Sequence, residues 1–464
     1  MMNKDKKWRV FVSSTDLDLK YARGAIAEKL SELGFETVMF EKGSFVIDSD
    51  LNAHESCINS VKTSDIFILI LDKRLGSPYL GIEDNPSITQ MEYSTALENK
   101  IPIIIFVNNR LEQERDFHTN IIKNSNKNIS SELLINKLNC AVTSYAESGK
   151  LVAFLHSIYQ QYSSNFITYF DDLAQLIEGI ERRLKALTPT ILRILSTTQN
   201  TNVKTRATVL GKEYNIGALI KSGFLVKQEF FEGESSKIYD FDLSKFSQTS
   251  SLNFNIVLGL PGTGKSIFMS KLFLDLNDHA LNQKTIDMPI YFDLRNIHTK
   301  EQFSPSGIII EAFRMFLRKE VYPLLDFNLV NLIFILDGLD EISEHLIKDI
   351  VYEKGLQDFS TFKGFLSVRN TFFDIYVRGS KLEQDISSIL NLRKWTASEG
   401  IYFIRKWLKS EVSRELSNDI KNHAKSNPLD EILTSPIMSS MYAFSIKYLN
   451  RIPKQISDRA TLYQ

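Results

Sequence analysis

Cysteine is almost missing: Cys57 and Cys140 are the two in 464 residues. So few thiols exclude a disulfide scaffold and a cysteine-built zinc site, and suit a reducing compartment. Neither sign of charge is in excess. Lys and Arg number 55 against 56 Asp and Glu, a formal net charge of −1. No global field therefore favours nucleic acid or anionic lipid, and no long Lys/Arg run marks a local basic patch. The seven histidines never form H-E-x-x-H, which removes the helical zinc-protease pattern. Long apolar runs are lacking too. Ile66–Leu71 and residues 101–107 are among the longest, far below the ~20 residues that span a bilayer. The N-terminus, Met1-Met2-Asn3-Lys4-Asp5-Lys6-Lys7, is charged and has no apolar h-region, so no secretion signal is expected. There is no internal repeat and no long low-complexity tract. These absences predict a cytoplasmic protein with no membrane partner and no indicated nucleic-acid partner.

What remains is an ordinary globular composition, 43% hydrophobic and 24% charged, long enough for about three domains. Against it one string stands out: Gly259-Leu260-Pro261-Gly262-Thr263-Gly264-Lys265-Ser266. It fits G-x-x-x-x-G-K-[ST], the phosphate-binding P-loop. Glycines permit a tight turn whose N–H groups point inward at phosphate oxygens. Lys265 is placed to reach the β- and γ-phosphates, and Ser266 to hold Mg²⁺. Phe254-Asn255-Ile256-Val257-Leu258 reads as a buried strand before the loop. Phe268, Met269, Leu272, Phe273 and Leu276 recur at helical spacing after it. Strand, loop and helix N-terminus make an anion site, and the ligand class is a nucleoside triphosphate with Mg²⁺. Downstream, Leu332-Ile333-Phe334-Ile335-Leu336 is an apolar strand running into Asp337-Gly338-Leu339-Asp340-Glu341. Asp337 at the strand end suits Mg²⁺, while Asp340 and Glu341 suit the orientation or deprotonation of an attacking water.

The first part of the chain alternates strand and helix. Residues 8–12 form a strand, then a helix carries Leu19, Ala22, Ile26, Leu30 and Leu33 on one face. Thr15 and Asp18 have capping-box spacing, and Gly34 is placed to end that helix. Further strands are expected at 36–40, 66–71 and 101–107, with a helix over 89–99. This alternation predicts a parallel, doubly wound sheet with its ligand cleft beyond the strands' carboxyl ends. Residues 110–150 are polar and read as an insertion or mobile connection with one short helix at 132–138. Residues 151–187 read as helical, with Pro189 as a stop. Residues 194–250 read as short mixed segments, including a strand at 223–231. After the P-loop, strands are expected at 288–294, 332–336 and 364–368 and a helix at 307–318. The chain is helical beyond Ala397, punctuated by Pro428, Pro436 and Pro453.

Residues 250–464, through the P-loop and the Asp337-Gly338-Leu339-Asp340-Glu341 string, resemble a NACHT-type module of the STAND class of signalling ATPases. The resemblance leans to ATP without settling ATP against GTP, and implies a slow, switch-like hydrolysis. It carries a sensor arginine onto Arg369, although Asn370 stands where the family has proline and Val368 where it has a hydroxyl residue. It also carries onto Pro436 a helical-domain proline that packs near the adenine. A helix-start proline is the alternative for Pro436. Residues 458–464 resemble the start of the family's winged-helix region; the repeat array that usually senses a trigger is not in this sequence.

Residues 6–187 resemble the family called domain of unknown function 4062, through Trp8-Arg9-Val10-Phe11-Val12-Ser13-Ser14-Thr15, Ser64-Asp65-Ile66, Arg74-Leu75-Gly76-Ser77 and Ser87-Ile88-Thr89-Gln90-Met91-Glu92-Tyr93. That family is similar in architecture to TIR domains and nucleoside deoxyribosyltransferases, which use one glutamate on N-glycosidic bonds. Glu92 is in the matching place, with Ser13, Ser14 and Arg74 as candidate cleft residues. The bland alternative is that Thr89 and Glu92 form a capping box. The expected organisation is a flavodoxin- or TIR-like α/β effector or adaptor at 6–187, a connector at 188–250, an α/β P-loop NTPase domain at 251–395 and a helical region at 396–464. Together the resemblances imply a cytoplasmic signalling switch. ATP–Mg²⁺ would drive homo-oligomerisation and so activate the N-terminal domain, in innate antiphage defence by a bacterium whose Lys-, Asn- and Ile-rich composition suggests an AT-rich genome. Two alternatives stay open for that domain: an N-glycosidase acting on NAD or nucleotides, and a protein-interaction scaffold. The trigger stays unknown.

Overall fold

The computed structural model describes residues 7–39, 53–79, 86–125, 129–161, 167–205, 207–209, 212–214, 229–232, 238–240, 254–283, 287–319, 325–408 and 429–449. The chain forms two compact units, one of Met1–Thr190 with Arg318–Asp326, the other of Ile191–Leu317 with Phe327–Gln464.

In the first unit β1 (Arg9–Ser13), β2 (Glu36–Val38), β3 (Ile66–Leu71), β4 (Ile103–Asn108) and β5 (Ile167–Phe170) make one sheet in the order β2-β1-β3-β4-β5. Every pairing in it is parallel. This is the flavodoxin-like order, and its topological switch point lies between β1 and β3, where ligands bind in such sheets. β3 is buried at all six positions, which is why it reads as an unbroken apolar run. The helix Asp16–Glu32 ends as Gly34 predicts. Gly34 takes φ 85, its N–H bonds to Ser31 O, and Phe35 N bonds to Leu30 O, a Schellman closure.

Residues 110–150 correct the expectation of an insertion. A longer helix, Asn109–Ser125, precedes the short helix expected at 132–138, which is present as Ser131–Asn139. Leu111, Leu134 and Leu138 from them join Leu151 and Leu155 of the helix Gly149–Gln161 in the main core. The segment looked like a loop because four of seventeen residues on the first helix are buried, two of them the ionisable Glu114 and Arg115. Residues 151–187 are likewise not continuously helical, since β5 intervenes before the helix Leu173–Ala186. The helix Leu173–Ala186 ends at its C-cap Leu187, just before Pro189 as expected, and Pro189 itself sits in the first turn of the next helix, Thr188–Thr205, where its missing N–H costs nothing.

The second unit is built on seven strands: β8 (Glu229–Glu232), β9 (Ile238–Asp240), β10 (Phe254–Gly259), β11 (Asp287–Asp293), β12 (Asn331–Asp337), β13 (Lys363–Arg369) and β14 (Ile386–Leu392). A separate hairpin pairs β6 (Ala207–Val209) with β7 (Lys212–Tyr214). The order is β11-β12-β13-β10-β14-β8-β9, parallel through β14 and antiparallel at β8 and β9. The helix expected at 307–318 is Pro305–Ala312, continued by wider turns over Phe313–Leu317. Ala397–Trp407, Asp430–Leu433 and Pro436–Leu449 form a helical layer around Trp395, Phe403, Ile404, Leu433 and Tyr442. The resemblance at 458–464, Pro428, Pro453 and most of the strand expected at 223–231 lie outside the described residues.

Candidate functional site

β10 ends at Gly259, and the helix Lys265–Gln283 begins five residues after Leu260. Between them Gly262 and Gly264 take φ 78 and 95, backbone that side chains rarely adopt. Thr263 pins the turn: its N–H and hydroxyl both bond to Leu260 O, at 3.2 and 2.8 Å. Lys265 Nζ folds back onto Gly259 O at 2.8 Å and Leu260 O at 3.4 Å. Burial pulls its ammonium below the ordinary lysine range, and Asp340 partly opposes the shift. A cation held only partly dry above a glycine loop and a helix N-terminus fits a polyphosphate.

Facing the loop are the carboxylates of the acid-tipped strand. Asp337, at the end of β12, is buried. It accepts from Ser367 Oγ at 2.5 Å and Tyr291 OH at 3.1 Å, and Ser266 also hydrogen-bonds it. Burial raises its carboxyl above the usual range, against those three hydroxyls. Ser266 and Asp337, the pair expected to hold Mg²⁺, are thus in direct contact. Gly338, at φ 84, turns the chain, and its N–H bonds to Ser367 Oγ at 2.8 Å. Asp340 and Glu341 then meet Arg369. Arg369 Nε lies 2.7 Å from Asp340 Oδ2, and its backbone N–H bonds to Asp340 Oδ1 at 2.9 Å. Its Nη2 lies 3.4 Å from Glu341 Oε1. Arg295 approaches Glu341 from the other side at 3.2 Å and also pairs with Asp293.

Three members of this constellation escaped the sequence reading. Tyr291 sits on β11 and Ser367 on β13, both flanking Asp337 through the sheet; Ser367 lies two residues before Arg369, and that offset was its one legible signal. Arg295 had none.

Pro436 is buried as the first residue of Pro436–Leu449. The segment around it lies on the P-loop. Ser435 Oγ donates to Gly262 O at 3.3 Å, and a Cβ added to Gly262 would stand 2.7 Å from Ile437 Cγ2. Gly259, Pro261, Gly262, Thr263, Gly264, Lys265, Ser266, Asp337, Asp340, Glu341, Arg369 and Pro436 are therefore gathered in one unit.

Glu92 is elsewhere, in the first unit. The capping-box alternative is overturned there. The helix Ile88–Glu98 is capped by Ser87 with Gln90: Gln90 N bonds to Ser87 Oγ at 3.2 Å and Ser87 N to Gln90 Oε1 at 2.8 Å. That leaves Glu92 one turn inside, pointing at the sheet. It is 7% exposed and accepts from Ser13 Oγ at 2.6 Å, at the carboxyl end of β1. Burial raises its carboxyl to about 7, with the Ser13 bond and nearby Arg23 pulling the other way. Cys57 lies close enough to feel its charge and is pushed up to about 12, mainly by burial, which makes that thiol inert. Ser14 is held by Arg23, whose Nη1 donates to its carbonyl at 2.7 Å and its hydroxyl at 2.9 Å. Thr15 is the N-cap by position, but its hydroxyl donates to Asp18 instead of receiving a backbone N–H. Arg74 turns to Glu147 at 3.0 Å.

Residues 9–184 match the family described as domain of unknown function (DUF4062), and residues 254–411 match the NACHT domain. No curated protein matches the chain. Partial likenesses occur among solved structures. The CMP N-glycosidase BcmB of Clostridium botulinum shares 14% identity over 38% of this chain and 98% of that one, with a TM-score of 0.20. A Walker-type ATPase of Pyrococcus abyssi shares 14% over 46% and 67%, at 0.29. The ORC2 protein of Aeropyrum pernix, in its ADPNP–ADP complexes, shares 12% over 45% and 60%, at 0.29.

Proposed function

We propose that this chain, a DUF4062 domain followed by a NACHT domain, is an ATP-driven signalling switch whose nucleotide state governs its self-association and the output of its N-terminal domain. The observation that carries the reading is the seat of Ser435 and Ile437 on Gly262. A helical segment resting on the P-loop must respond to what the loop holds, which a switch requires and a passive nucleotide store does not.

The chain's own residues divide the work. The loop amides and Lys265 bind the phosphates. Ser266 and Asp337 would hold Mg²⁺, which when bound supplies charge neutralisation for the phosphates. Asp340 and Glu341 orient and deprotonate the attacking water. Arg369 pairs with both, and Arg295 also pairs with Glu341. A terminal phosphate competes for the Arg369 guanidinium, since planar bidentate pairing suits phosphate as well as carboxylate. Moving Arg369 frees the carboxylates for water. Clustering of the N-terminal domains by the ATP-bound form, in a cytoplasmic antiphage response, completes the reading.

Two variants test it. Lys265→Ala abolishes ATP binding in titration calorimetry. Glu341→Gln keeps binding and slows hydrolysis by about 10²-fold or more, the usual worth of a positioned base. Unchanged ATP affinity in Lys265→Ala sinks the reading. Sedimentation of the wild type with ATP–Mg²⁺ tests self-association.

The buried Glu92, hydrogen-bonded to Ser13 at the β1/β3 crevice and raised to about 7, favours a second reading for the N-terminal domain: an N-glycosidase on NAD or nucleotides. A carboxylate there stabilises an oxocarbenium-like ribose or attacks its anomeric carbon. Release of nicotinamide or a free base by the wild-type chain, lost in Glu92→Gln, supports it. No release by either protein, both assembled, leaves the domain as an adaptor.

A further inference from the structure

β11 is the outer strand of its sheet, so one row of its main-chain groups has no strand to pair with. The helix Thr188–Thr205 supplies missing partners with two side chains, Gln199 and Ser196. Gln199 Nε2 donates to Tyr291 O at 2.7 Å, and Tyr291 N donates to Gln199 Oε1 at 3.2 Å. The amide thus imitates one residue of a strand. Gln199 is 0% exposed. Three residues earlier Ser196 Oγ donates to Pro289 O at 3.3 Å and to Asn277 Oδ1 at 3.2 Å. The helix also buries Ile191, Leu192 and Leu195, but apolar burial gives adhesion without register. The two-way Gln199 pair, with the Ser196 bond to Pro289 O beside it, fixes the helix in register on β11.

Tyr291 reaches the nucleotide site with its other end. Tyr291 OH donates to Asp337 Oδ2 at 3.1 Å, and Ser270 on the P-loop helix also hydrogen-bonds the phenol. The main chain of Tyr291 therefore answers to the helix, and its side chain to the acid. The seat is incompletely satisfied: Asn200 Oδ1 and Asn277 Nδ2 are buried without a hydrogen-bond partner among the described residues. Each such atom disfavours the docked state, so the helix is held by a contact that a change at Tyr291 can loosen.

We propose that Gln199 is a positioning residue for the Asp337 carboxylate, acting through Tyr291, so that docking of the helix Thr188–Thr205 and loading of the site with ATP and Mg²⁺ are thermodynamically coupled. The proposal rests on the reading of Lys265, Ser266 and Asp337 as the ATP–Mg²⁺ site. Coupling is reciprocal: whatever the docked helix adds to nucleotide affinity, nucleotide adds to docking.

The test uses the full chain and two readouts. ATP affinity is measured with Mg²⁺ and with EDTA for the wild type, Tyr291→Phe, Gln199→Met, the double variant and Lys265→Ala. Hydrogen exchange of residues 191–205 is followed with and without ATP–Mg²⁺. Tyr291→Phe keeps the ring and the main-chain pairing and removes only the hydroxyl. It lowers affinity in Mg²⁺ by about 5-fold or more and leaves the EDTA value nearly unchanged. Gln199→Met does the same, and the double variant is no worse than the stronger single one. Nucleotide slows exchange of 191–205 in the wild type but not in Tyr291→Phe. Additive losses, or exchange of 191–205 indifferent to nucleotide in the wild type, overturn the coupling while Lys265→Ala still abolishes binding. Wild-type binding by Lys265→Ala instead overturns the site itself, and the proposal with it. The wild-type exchange measurement needs no substitution, so a variant that fails to fold does not shield the idea.

Discussion

At the scale of single residues Asp340 and Glu92, two carboxylates with buried side chains, are handled in opposite ways. Asp340 is paired with an arginine, so its charge is matched where it sits. Glu92 has a serine hydroxyl in hydrogen-bond contact and the charge of Arg23 pulling the same way, but burial dominates and raises it from 4.5 to about 7. Between those values the folded chain keeps a proton on Glu92 that the unfolded chain has released, and stability falls as pH rises through that window. Glu92→Gln is neutral at every pH and keeps an acceptor for Ser13. It therefore melts higher than the wild type at pH 8, by about 1–3 kcal/mol of stability, and close to it at pH 4.5. Equal melting differences at both pH values, followed by circular dichroism, count against a protonated Glu92 in the fold. The pattern of this prediction was not legible in the sequence: Thr89 and Glu92 have capping spacing, and only the placement of Ser87 and Gln90 one turn earlier shows which pair is the cap.

At the scale of elements, legibility followed how each element is buried. β3 and β12 present continuous apolar runs because both faces are covered, and they were read to within a residue. β14 was missed. Its Ile-Ser-Ser-Ile-Leu-Asn-Leu is mostly half-buried, and Ser388 spends its hydroxyl on Asn255 of β10 rather than on solvent. β5 was missed because four residues with Tyr169 facing out give too short a period. The P-loop was legible to the residue, since glycine at positive φ has few substitutes. What the motif could not announce is the partner resting on it. Gly262→Ala meets both constraints, a backbone at φ 78 and Ile437 Cγ2 at 2.7 Å from the new Cβ. It lifts the start of Pro436–Leu449 off the loop, seen as faster hydrogen exchange over residues 429–449, and costs about 1–3 kcal/mol. Unchanged exchange there argues that the seat on Gly262 does not hold the helical layer.

At the scale of the whole molecule, two sheets with separate cores carry two unrelated sites: the flavodoxin-like order beneath Glu92 and the seven-stranded order beneath Lys265. A ligand stabilises the unit that binds it, by about 2.7 kcal/mol at a hundredfold excess over its dissociation constant. For a unit of this size that is worth roughly 5–10 °C. Calorimetry with ATP and Mg²⁺ therefore raises one unfolding transition, and Lys265→Ala removes that rise. Glu92→Gln at pH 8 raises the other transition whether or not nucleotide is present. The two perturbations add where the two units unfold independently. A single transition that moves as one under both perturbations shows instead that the units unfold together. Nucleotide binding then reaches the N-terminal domain already in the isolated chain, and self-association is not needed to carry the signal.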